Sequence, residues 1–76
     1  MARCQDLHLL RGTRRRVART LANIEAGLFT YAEEVIKDLR RMPFEDGVSR
    51  IVRQEAQNAA DALSAELNVR RVQAAE

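Results

Sequence analysis

The side chains that could carry chemistry in this 76-residue chain are few and lie close together in sequence. Cys4 and His8 are four apart, a spacing that puts two metal ligands on one face of a helix. Two ligands do not close a zinc site, and the chain has no other cysteine or histidine. The same pair lacks an identifiable orienting group for nucleophilic catalysis. Glu33, Glu34 and Asp38 lie among Lys37, Arg40 and Arg41. Paired carboxylates do acid–base work when burial separates their pKa values, but this spacing puts them on the solvated side of a helix, with Glu33 and Lys37 forming an exposed i,i+4 pair. Gly12, Gly27 and Gly47 are too far apart to form a phosphate-cradling loop. The expectation is a protein that is not an enzyme and carries no metal or cofactor.

The remaining charged feature is the arm RGTRRRVAR. Residues 1–20 hold six arginines against Asp6, a net +5, while the rest of the chain holds seven basic and ten acidic residues, a net −3. Arg14, Arg15, Arg16 and Arg19 are suited to bidentate contacts with carboxylate or phosphate. They fit an acidic protein, an anionic lipid surface or the phosphates of a nucleic acid. No aromatic residue interleaves with them in sequence for stacking on bases. The segment MARCQDLHLLRGTRRRVARTL, rich in arginine and poor in acid, resembles a mitochondrial targeting segment.

The elements that position these groups are helices. Apolar residues recur at Val17, Leu21, Ile24, Leu28, Tyr31, Val35, Leu39 and Met42 in steps of three and four. That spacing predicts one helix running up to Pro43, with its start near Arg14 capped by Gly12-Thr13. Proline breaks a helix, Lys37, Arg40 and Arg41 suit its last turn, and Glu45 and Asp46 suit the start of the next, with Asp46 as its cap. The second stripe runs Val48, Val52, Ala56, Ala59, Leu63, Leu67 and on to Val72. Its alanines permit close helix approach.

The expected fold is therefore all-α: an antiparallel two-helix hairpin with a proline corner near residue 43, or the same hairpin with a third short N-terminal helix. Residues 1–13 form a basic arm and 14–76 the hairpin domain. No apolar run approaches the roughly 20 residues of a membrane span, and a single cysteine allows no internal disulfide. A chain this short buries a modest share of its surface, so a partner is expected over Leu28, Phe29, Ile36 and Phe44, which one stripe per helix leaves uncovered.

The segment YAEEVIKDLRRMPFEDGVSRIVR, Tyr31 to Arg53, resembles the amino-terminal helical pair of a small accessory subunit of mitochondrial complex I, related to the LYR-motif proteins. Val35, Ile36 and Leu39 stand at that family's apolar positions, Pro43 at its proline, and Glu45-Asp46-Gly47 at its acidic-glycine segment. The resemblance implies a non-catalytic structural subunit on the matrix side of the inner membrane, packed against other subunits of a respiratory-chain assembly. The expectation from a different class is a small basic helical nucleic-acid-binding protein, ribosome-associated or a bacterial or phage regulator and cytoplasmic, with the arginine arm on phosphate. Binding across a salt series separates the two.

Overall fold

The computed structural model describes residues 4–42 and 47–75, and side chains from Leu7 onward. Three helices account for nearly all of these: α1, Cys4–Glu25; α2, Phe29–Arg41; and α3, Arg50–Ala75. No strand occurs among the described residues. The molecule is a rod of 46 × 19 × 16 Å, its long dimension set by α3, whose 26 residues span about 39 Å at 1.5 Å per residue.

The single helix expected from Val17 to Met42 is two helices, and the break is at Gly27. The Leu28 N–H donates to the Asn23 carbonyl at 2.9 Å and the Gly27 N–H to the Ile24 carbonyl at 3.0 Å. That pair of bonds is a Schellman closure of α1, which requires a left-handed residue after the last turn. Gly27 supplies it with φ of 84°, a conformation that costs an L-residue with a Cβ about 1–2 kcal/mol. At its other end α1 runs without interruption through Gly12 and Thr13, where a helix start was expected; the arginine-rich segment is part of the bundle.

The break resets the phase of the apolar stripe. A continuous helix would bury Leu28, Tyr31 and Val35 beside Leu39. In the structure α2 buries Ala32, Ile36 and Leu39, while Leu28 and Tyr31 are 54% and 65% exposed. The stripe is rotated by about 60° at 3.6 residues per turn, with Leu39 common to both faces, and the turn rather than the sequence spacing sets it. On α1 the inward face is Thr13, Thr20 and Ile24, with Val17 half-buried. The two buried threonines donate to carbonyls four residues back on their own helix, Thr13 to Leu9 at 2.9 Å and Thr20 to Arg16 at 2.6 Å. No described buried side-chain polar atom is left without a partner, which is what burial of a hydroxyl demands.

Helix α3 lies against both others. Its buried face is Val52, Ala56, Ala60, Leu63 and Leu67, close to the expected stripe, with Ala59 half-buried. The stripe stops at Leu67, since Val72 is 61% exposed. Along α2 and α3 the ion pairs run in opposite order: Glu33 meets Arg71, and Arg40 meets Asp61 at 3.1 Å. Glu33 is thus engaged across the bundle, and Lys37 pairs with Glu34 at 3.7 Å in place of the expected Glu33. The cap of α3 is Ser49, whose Oγ accepts from the Val52 N–H at 3.4 Å. Helix α3 begins there, three residues past the Asp46 cap read from the sequence. The Pro43 corner, with Phe44, Glu45 and Asp46, lies outside the described residues.

Candidate functional site

The fold-back at Gly27 brings Arg15, Arg16 and Arg19 of α1 to a groove shared with α2. Arg11, Arg15 and Arg19 sit one turn apart, all exposed, on the side of α1 roughly opposite its buried Thr13, Thr20 and Ile24. Arg16 flanks them toward α2. A groove of about 450 Å³ separates the two helices, lined from α1 by Gly12, Arg15, Arg16, Arg19, Thr20 and Asn23 and from α2 by Tyr31, Glu34, Val35 and Asp38.

The electrostatics of the groove are lopsided. Its two carboxylates are engaged along α2, Glu34 with Lys37 at 3.7 Å and Asp38 with Arg41 at 2.6 Å. Arg14, on the other flank of α1, reaches Glu55 of α3 at 3.7 Å. Among the described residues Arg15, Arg16 and Arg19 have no such ion-pair partner. Counting the groove residues with Lys37 and Arg41 beside them gives five cations against two anions, a local +3. Three guanidinium forks in a recess present fifteen N–H donors to a carboxylate or phosphate.

At its Gly27 end the groove runs into an apolar depression of about 360 Å³ lined by Gly27, Leu28, Phe29, Thr30, Tyr31 and Glu34. Tyr31 and Glu34 belong to both, so the basic and apolar parts form one continuous surface. Of the apolar docking residues named from the sequence, Leu28 and half-buried Phe29 come together here. Ile36 is 8% exposed and packs in the core with Leu39 and Leu63, so it offers no surface. Phe44 lies outside the described residues. Of the four arginines named, Arg15, Arg16 and Arg19 share the groove and Arg14 points away to Glu55.

Thr20 and Asn23 are groove residues that the sequence reading did not name, and Tyr31 was read there as part of a buried stripe. Tyr31 is twelve residues from Arg19 in the chain and shares its groove only because α2 doubles back. The signal was present in Glu25-Ala26-Gly27-Leu28, a glycine just past a helical run.

His8 is exposed, and among the described residues no three histidine, cysteine, aspartate or glutamate side chains are grouped to hold a metal ion. No described helix is long and apolar enough to cross a membrane. No protein-family model, no curated protein and no solved structure matches the chain.

Proposed function

We propose that this chain is a non-catalytic subunit that docks on other components of a larger assembly through the exposed side of α1 and α2. The observation that carries this reading is the continuity of three arginines, without an ion-pair partner among the described residues, with an apolar depression on one face of a very small bundle. Three of the nine buried core side chains are alanines, so the core contributes little per residue, whereas Leu28 and Tyr31 stand in water. Covering them recovers about 25 cal/mol for each Å² of apolar area. In this reading α2 and α3 form the antiparallel hairpin, α1 closes its side and carries the basic surface, and Glu34 and Asp38 serve as surface ion-pair partners with no acid–base role.

The narrowest form of the proposal is a subunit on the matrix side of the mitochondrial inner membrane, in a respiratory-chain assembly such as complex I. It rests on the Tyr31–Arg53 resemblance and the targeting-like amino terminus. Gentle lysis and fractionation of the native chain test the proposal at both levels. Migration with a larger complex is expected, and with a respiratory complex in the narrow form. A chain found only as a stable, monodisperse free monomer would overturn both.

One observation favours a second reading, nucleic-acid binding. Tyr31 lines the same groove as Arg15 and Arg19 and is open to solvent, which supplies the stacking surface that the arginine arm lacks in sequence. Affinity for single-stranded oligonucleotide that falls steeply with salt, and vanishes when Arg15, Arg16 and Arg19 are replaced by alanine, is the result this reading requires.

A further inference from the structure

We infer that the α1–α2 groove is a seat for an acidic amphipathic helix of the partner, laid along the cleft as a fourth helix. This deepens the docking function proposed above and rests on it. Two features of the groove must be satisfied together. Its middle presents Arg15, Arg16 and Arg19, which have no carboxylate partner among the described residues, and its Gly27 end presents Leu28 and Phe29 around an apolar hollow.

A helix carrying Asp or Glu along one flank and Leu, Ile or Phe at i, i+3 and i+4 matches both at once, in the helix-in-groove manner. Its carboxylates meet guanidinium forks, and one or two apolar anchors fill the hollow beside Tyr31. The fit in length is also good: Gly12 to Asn23, the α1 side of the groove, spans about 16 Å at 1.5 Å per residue, or three turns of a docked helix. A nucleic-acid strand uses the arginines and Tyr31 but leaves Leu28 in the apolar hollow uncovered. The hollow therefore favours the peptide. The groove also fixes placement, because the acidic flank of the incoming helix must lie over Arg15, Arg16 and Arg19 and its apolar anchors must reach the hollow at Gly27.

Selection from a display library of helical peptides with randomised surface positions, run against the intact chain, tests this. Enriched peptides are expected to combine acids on one flank with apolar residues at i, i+3 or i+4. The best of them, labelled for anisotropy, should lose at least tenfold in affinity to R15E/R19E and to L28D. It should also weaken as salt is raised. All three positions are exposed, and circular dichroism checks that the variants keep their helices. Amide shift mapping on the unmodified chain needs no variant; it should move residues along the groove and leave the outer face of α3 still.

No enrichment, enrichment of peptides without acids, or affinity unchanged in both variants would overturn the inference. So would oligothymidylate or anionic phosphatidylglycerol vesicles bound in the groove while selected peptides are not. Fractionation is read separately. A chain that migrates in a complex but selects no acidic helix keeps the docking function and loses this seat, whereas a chain that selects acidic helices yet stays a free monomer in the cell loses the docking function.

Discussion

Replacing Gly27 by alanine isolates the backbone device that turns α1 into α2, on which the three-helix arrangement depends. A Cβ built at Gly27 meets nothing within 4 Å, so the substitution causes no clash, and its whole effect comes from φ of 84°. Holding an L-residue there costs about 1–2 kcal/mol. Part of that is offset because alanine also narrows the unfolded ensemble, by about 0.4–1 kcal/mol. Gly12 provides the control. It lies within α1 in ordinary helical conformation and its added Cβ also meets nothing; Gly12→Ala should stabilise by about 0.5–1 kcal/mol. Both variants remove one glycine from the unfolded chain, so their difference reports the native conformation at Gly27, about 1–2 kcal/mol. With a urea m value near 1 kcal/mol/M for so small a domain, the two midpoints should separate by about 1–2 M, followed by helical ellipticity. Gly27→Asn, which tolerates the left-handed region better, should fall between them. Equal midpoints for Gly27→Ala and Gly12→Ala would refute the Schellman closure and, with it, the fold-back that brings Tyr31 to the arginines.

Leu39 is wholly buried between α2 and α3, so Leu39→Ala should cost about 2–5 kcal/mol. In a domain this small the expected result is a chain unfolded or nearly so at 25 °C by ellipticity, and a loss under 1 kcal/mol would mean that the site is not core. Thr20→Val should leave the urea midpoint unchanged or raise it, because the hydroxyl serves only the Arg16 carbonyl of its own helix and its removal orphans no buried partner. A stability lowered by more than about 1 kcal/mol would show that the hydroxyl ties two helices together. Ser49→Ala should cost about 0.5 kcal/mol, the low end for a cap, since its bond of 3.4 Å exceeds the usual length of about 2.7–3.2 Å. Asp38→Asn should change stability by under about 0.5 kcal/mol, because its pair with Arg41 is a surface contact between neighbours on one helix; a larger loss would mean that the pair braces the bundle.

Helicity was legible in the chain because a 3.6-residue period shows in any sequence that buries one face, and it located the face of α3 almost residue for residue. The same period misled in the first half. The stripe Val17 to Met42 keeps its three-and-four spacing straight through Gly27, so periodicity alone reports one helix where there are two. Gly27 carried the contrary signal, but a lone glycine is tolerated inside helices, and the spacing outweighed it. Once the chain turns there, α2 takes its own rotation, which is why Ile36 faces the core while Tyr31 faces water.

The candidate site divides along the same line. That Arg14, Arg15, Arg16 and Arg19 cluster on a helix follows from residue type and spacing, which are local properties; that the helix runs back through Arg11 does not. That Arg15, Arg16 and Arg19 line a groove with Tyr31 and open onto Leu28 and Phe29, while Arg14 is drawn off to Glu55, depends on which helix lies beside which. Only packing decides this, because the residues brought together belong to different helices, and their alignment is set by the backbone at Gly27 and by the small side chains that let α3 approach.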